Sequence, residues 1–190
     1  MQFSNPDENI RELGLHPGEK IVIFGSGAGG HTLAAARAMG SSGTIYGVDE
    51  RGNMVEKLKK EVAERHMMNV RIVHGTVDHP KGTSIGTDTA DVVIIPDTLF
   101  SHENKPAIVE EASRILKPGG RLLVVDWKSS YRGAGPSPEH VITEESALAL
   151  AKTAKFILDK KWNAGSYHYA IRFHKPSMEE LKAARSAKSV

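Results

Sequence analysis

The chain of 190 residues is 39% hydrophobic and 25% charged, with a formal net charge of +2. That is enough apolar material for one well-buried domain and short for two. The near-neutral balance, with Lys and Arg interspersed among Asp and Glu, argues against a nucleic-acid partner, and the absence of cysteine excludes disulfides, thiolate zinc sites and cysteine nucleophiles. The opening residues are too polar for a signal peptide and no apolar run is long enough to span a bilayer, so a soluble, cytoplasmic chain acting away from membranes is expected.

Asn5 is placed to cap a short helix, with Pro6 at its first position and Asp7 and Glu8 in its first turn, that ends at Gly14. Ile21, Val22, Ile23 and Phe24 form an uninterrupted apolar run, the pattern of a strand covered on both faces. Residues 32–39 supply an alanine-rich helix just beyond Gly25-Ser26-Gly27-Ala28-Gly29-Gly30. A second strand is predicted over 44–48, ending on Asp49, and a helix over 53–66 carries Met54, Val55, Leu58 and Val62 on one face. Third and fourth strands follow over 70–73 and 90–95, then a helix over 106–116 that stops at Lys117-Pro118-Gly119-Gly120 before a strand over 121–126. Beyond a Gly-, Pro- and Ser-containing loop over 129–138 come a helix over 144–155 and two β-runs, 156–162 and 167–173, joined by a turn at 163–166 as an antiparallel hairpin. Residues 176–190 read as a polar amphipathic tail outside a single domain over 1–175.

The glycines after the first strand let the backbone turn tightly and lie against a ligand, while Asp49 can accept hydrogen bonds from two ribose hydroxyls. A nucleoside-containing ligand is the expectation. The spacing Gly25-x-Gly27-x-x-Gly30 also fits the dinucleotide fingerprint, so an NAD(P)-binding oxidoreductase stays open at this point. Nine histidines show no i, i+4 pair, and no metal site is expected. The nearest arrangement to one is Asp97 with Asp126, which the topology brings to adjacent strand ends.

The glycine loop after strand one, Gly47-Val48-Asp49, Asp91-Val92-Val93-Ile94-Ile95 and Arg114-Ile115-Leu116-Lys117-Pro118-Gly119-Gly120-Arg121-Leu122 together resemble the class I S-adenosylmethionine-dependent methyltransferases, in their type-11, ubiquinone/menaquinone-methyltransferase-like group. The resemblance covers nearly the whole chain. It implies an α/β, Rossmann-like three-layer sandwich whose mostly parallel seven-stranded sheet ends in a C-terminal antiparallel hairpin. It also implies methyl transfer from S-adenosyl-L-methionine to a small-molecule acceptor. Cofactor contacts carry over to Phe24, Gly25, Ser26, Gly27, Gly29, Asp49, Glu50, Met54, Thr76, Val77, Asp78 and Pro96, and Asp97 and His102 become the polar groups beside the acceptor.

Two positions depart from the family's pattern. An acid is usual where Ile23 stands and frequent where Thr76 stands, and losing a buried acceptor costs about 1–3 kcal/mol. A non-catalytic nucleoside-binding or partner-binding module of the same fold is therefore the second implied reading. Arsenite acceptors are disfavoured, because methyltransferases of similar fold hold the metalloid with cysteines and this chain has none.

Overall fold

The structure, a computed structural model, describes residues 4–131 and 135–187. Helix α1 (Pro6–Leu13) starts as the sequence predicts, with the Asn5 side chain accepting the Glu8 N–H at 3.2 Å and Gly14 ending the helix in the left-handed region. There follow β1 (Lys20–Phe24), α2 (Gly30–Met39), β2 (Thr44–Asp49), α3 (Gly52–Glu64), β3 (Val70–His74), β4 (Ala90–Pro96), α4 (Lys105–Ile115) and β5 (Leu116–Trp127). The chain closes with α5 (Glu144–Thr153), β6 (Ile157–Asn163), β7 (His168–His174) and α6 (Met178–Ala187).

The seven strands form one sheet in the order β3-β2-β1-β4-β5-β7-β6. β1 to β5 run parallel, whereas β7 lies antiparallel between β5 and β6. A dinucleotide-binding sheet keeps six parallel strands, so this inserted antiparallel strand separates the two readings of the glycine loop.

Alternation along β1 divides the core. Val22 and Phe24 join Val93, Ile95, Leu122 and Val124 under α4 and α5, while Ile21 and Ile23 join Ile45, Ile94, Leu123 and Val125 under α1, α2 and α3. Successive strand side chains point to opposite faces, so each strand contributes to both layers. Ile23 is fully buried, and the middle of β1 therefore offers no polar group to a ligand.

β5 begins earlier than the predicted 121. Leu116 pairs with Ala90, the register then shifts, and the intervening turn is tied to the chain beyond β7 by Gly119 N–H to Lys175 O at 2.9 Å and Lys175 N–H to Gly120 O at 2.8 Å. Within the predicted tail, Met178–Ala187 form the polar helix α6, with no buried residue over its length.

A buried ion-paired centre on α4 holds the long connection between β3 and β4. Glu111 on α4, 2% exposed, accepts the Thr83 hydroxyl at 2.6 Å, the Lys81 N–H at 3.0 Å and two bonds from the Arg114 guanidinium, each at 2.7 Å. Arg114 also donates to Ile85 O at 2.7 Å and Thr87 Oγ1 at 3.0 Å. Residues 75–89 are thereby pinned along α4 in a shape that presents Gly75 and Val77 to the ends of the strands.

Candidate active site

The C-terminal ends of β1, β2 and β4 meet at the glycine loop. Gly25 and Gly27 have φ of +61° and +51°, a region closed to most side chains, and a Cβ on Gly25 would also collide with Thr98. The bare backbone turns across the tip of β2, and the Gly27 N–H donates to Asp49 Oδ2 at 2.7 Å.

Asp49 is 2% exposed and both its oxygens are engaged. Arg51 binds it bidentately, Nε to Oδ1 and the terminal nitrogen to Oδ2, each at 2.9 Å, and the Arg51 N–H donates to Oδ1 at 3.0 Å. Burial pushes the Asp49 carboxyl up, but the hydrogen bonds from Arg51 and Gly27 outweigh it and hold the group below its usual value. The Arg51 side chain is itself about half exposed, at 53%, so it lies over the carboxylate from the solvent side.

Two clefts flank this pair and share Gly25, Arg51 and Asp97. The first, of about 230 Å³, is walled further by Asp49, Glu50, Val77, Phe100 and His102. The second, of about 290 Å³, is walled further by Pro6, Ser26, Gly27, His31 and Pro96. Each by itself lies just below the usual range of small-molecule sites, roughly 300–1,000 Å³.

Asp97 stands where the clefts join. It follows β4 directly and adopts a φ of +47°, an unusual conformation for a residue with a side chain. Its Oδ1 lies 2.9 Å from Nε2 of His168, which is 1% exposed on β7. The approach is off the line a hydrogen bond needs, and both His168 ring nitrogens remain without a hydrogen bond among the described residues.

Residues 15–183 match the family described as "Methyltransferase domain". The chain belongs to that family. The ubiquinone/menaquinone biosynthesis C-methyltransferase UbiE of Hydrogenovibrio crunogenus is 29% identical over 179 residues, which cover 91% of this chain and 66% of that protein. The arsenite methyltransferase of Halobacterium salinarum is 31% identical over 134 residues, 70% of this chain and 32% of that protein. The chain thus spans from about a third to just under two thirds of the length of the curated relatives it matches. Among solved structures, a SAM-dependent methyltransferase from Aquifex aeolicus superposes with a TM-score of 0.81 over 90% of this chain and 89% of that one, at 23% identity, a likeness of fold. Family match, relatives and sheet order together place the chain in the class I, type-11 methyltransferase family, a group whose cofactor is S-adenosyl-L-methionine.

Of the residues expected from sequence, Gly25, Ser26, Gly27, Asp49, Glu50, Val77, Pro96, Asp97 and His102 line the two clefts. Phe24, Gly29, Met54, Thr76 and Asp78 do not. The Phe24 ring is buried in the core and only its carbonyl reaches toward the site, accepting the Thr98 hydroxyl at 3.1 Å. Gly29 caps α2, where a side chain would strike Leu58, so it serves packing. Thr76 faces Gly82 within its own loop, and Asp78 pairs with the neighbouring His79 at 3.1 Å.

His102 sits on the Asp49 side, with Nδ1 3.0 Å from Thr98 O and Nε2 3.9 Å from Glu50. It is therefore separated from the second cleft, where His31 stands instead. His31 was legible only as the histidine after the glycine run. Arg51 carried no sequence signal beyond lying two residues past the strand-end acid.

Asp126, at the end of β5, is fully buried, and burial pushes its carboxyl up to about 7 against the bond it accepts from the Trp127 N–H at 2.8 Å. It approaches no second acid and histidine as a metal-holding group: none of three or more such side chains occurs among the described residues. The unfolded chain ionises this carboxyl near 3.8 and the folded chain only near 7, so its contribution to stability declines as pH rises between those values and is level outside them. Asp126→Asn should remove that decline, the variant gaining about 2 kcal/mol relative to the parent between pH 5 and pH 7. Urea unfolding at the two pH values measures it; parallel curves for parent and variant would exclude a buried neutral acid.

Proposed function

We propose that this chain transfers a methyl group from S-adenosyl-L-methionine to a small-molecule acceptor. The observation that carries the reading is a buried strand-end carboxylate, Asp49, hydrogen-bonded to the glycine loop that joins the two clefts. A nucleoside's ribose finds its two acceptors there and its extended substituent a surface with no Cβ in the way. On this reading Gly25, Ser26 and Gly27 hold the aminoacyl part, Asp49 the ribose, and Glu50, Val77 and His102 border the base. The cofactor supplies an electrophilic methyl group on a sulfonium. The protein's share is to orient the acceptor, to exclude water and, where the nucleophile arrives protonated, to receive the proton on Asp97.

Calorimetric titration with S-adenosylmethionine and S-adenosylhomocysteine tests this. Micromolar binding of both is expected, with no heat from NAD. A folded protein silent toward both adenosyl compounds would overturn it. The fully buried Ile23 favours the second reading, a binding module, to the extent that binding occurs without turnover on any acceptor.

Arg51 makes a sharper prediction. Its guanidinium occupies the two oxygens that ribose needs, so ligand and side chain compete, and apparent affinity is lowered by the fraction of time the carboxylate is covered. Because Arg51 is half exposed, the pair contributes about 1 kcal/mol at most. Arg51→Ala should tighten S-adenosylhomocysteine binding about threefold to fivefold while lowering the melting temperature of the unliganded protein. Affinity that falls in the variant would show that Arg51 binds the ligand rather than excluding it.

A further inference from the structure

The second cleft contains a histidine whose protonation pattern is set by a chain of hydrogen bonds crossing the molecule. Trp162 on β6 donates its indole N–H to Asn9 Oδ1 at 3.3 Å. Indole nitrogen is a donor only, so this contact fixes which end of the Asn9 amide is oxygen. The Asn9 amide nitrogen, in a residue with no exposure, then spends its two protons on Ser4 Oγ at 3.1 Å and on His31 Nε2 at 3.2 Å. Nε2 must accept. The ring's proton therefore sits on Nδ1, which has no hydrogen bond among the described residues, and His31, 6% exposed, walls the cleft beside Asp97.

Burial lowers the His31 pKa to about 4, the nearby Asp97 opposing it, so the imidazole is neutral at physiological pH. His31 and Asp97 both line this cleft, so the pair combines one N–H donor of fixed tautomer with one carboxylate acceptor. A hydroxyl is matched to both, since its oxygen accepts through a lone pair and its hydrogen donates. An ammonium has only donors and would leave His31 unmatched; an ether has only acceptors and would leave Asp97 unmatched. A buried polar group left without its partner is what gives such sites their selectivity.

We propose that His31 and Asp97 form the acceptor-recognition pair of this protein, selecting a small molecule through an alcohol or phenol hydroxyl. The proposal rests on the methyl-transfer reading and names its substrate class. Neither Asn9 nor Trp162 touches the acceptor; they are positioning residues that hold the His31 tautomer.

The test uses protein labelled with 15N in histidine and saturated with S-adenosylhomocysteine. The His31 signal is expected to show a protonated Nδ1 and an unprotonated Nε2, unchanged between pH 6 and pH 8. Small alcohols and phenols, phenol and benzyl alcohol among them, are then titrated against their methyl ethers and the matching amines. Hydroxyl compounds should shift His31 Nδ1, whereas anisole and benzylamine should not. Asn9→Asp can no longer donate to Nε2, so the ring's proton should move there, and the affinity for the hydroxyl probe should fall about fivefold, one neutral hydrogen bond. A protonated Nε2 in the parent overturns the proposal, as do ethers or amines acting as strongly as alcohols, or no response to any hydroxyl compound. Should S-adenosylhomocysteine itself fail to bind, the methyl-transfer reading is what falls.

Discussion

Arg114→Met should lower the unfolding free energy by about 3–5 kcal/mol at pH 8, measured by urea denaturation, with a melting temperature lower by roughly 6–20 °C. The reason is what the substitution leaves behind. The Glu111 carboxylate loses two charge-assisted bonds of 2.7 Å and keeps only the Thr83 hydroxyl and the Lys81 N–H, although it remains inside the protein. An isolated buried charge costs far more than the pair contributes when intact.

Protonation gives the effect a definite pH dependence. In the parent, burial pushes the Glu111 carboxyl up, but the bonds from Arg114, Thr83 and Lys81 hold it below its usual value. Its contribution is therefore present above the unfolded value of 4.5 and is lost as pH falls below that. In the variant the unpaired carboxyl takes up a proton more readily, so the deficit should shrink on going from pH 8 to pH 4. Glu111→Leu combined with Arg114→Met should recover much of the loss, because an apolar pair removes the stranded charge. A single-variant deficit under about 1 kcal/mol at pH 8 would show that the loop over 75–89 does not depend on this centre.

The second large effect concerns the ligand. Asp49→Ala should weaken S-adenosylhomocysteine binding about a hundredfold, roughly 2.7 kcal/mol, if two ribose hydroxyls share this carboxylate. The hydrogen bonds that hold the Asp49 carboxyl below its usual value keep it charged across the neutral range, so the parent's affinity should be flat from pH 5 to pH 8. The variant also frees Arg51 and the Gly27 N–H, both of which Asp49 engages in the unliganded protein. Near-UV circular dichroism of the variant separates a lost contact from a lost loop. Unchanged affinity in a folded variant would remove Asp49 from the ligand site.

On the proposed reading, Arg51 covers Asp49 until a ligand competes for the carboxylate. Removing the cover and removing the acceptor should move affinity in opposite directions. A double variant, Asp49→Ala with Arg51→Ala, should behave as Asp49→Ala alone, since a cover has no effect where there is nothing to cover.

The strand run of 21–24, the helix cap at Asn5 and the hairpin turn near 163–166 were all legible in the chain, because pleat, cap and turn depend on a few neighbouring residues. The glycine loop and Asp49 were legible for the same reason: a backbone with positive φ and an acid at a strand's end are local features. Legibility failed where a side chain's partner was not a neighbour in kind. Phe24 was expected beside the ligand, yet the same alternation that made β1 recognisable turns its ring into the core. For His102 the chain carried no sign of its surroundings: the short helical turn after Thr98 places it on the Glu50 side of the first cleft.

The sequence by itself determined the succession of strands and helices, the bare loop and the acids at the ends of β2, β4 and β5, since each follows from periodicity or from the few residues able to occupy a given turn. Only the tertiary structure decided which of those groups meet. Inserting β7 between β5 and β6 sets His168 against Asp97, and folding α1 over β6 lets Trp162 reach Asn9 across 153 residues and so dictate the proton on His31. Such pairings depend on burial and on distances between strands far apart along the chain. Those quantities do not exist until the sheet has closed and water has been excluded from its edge.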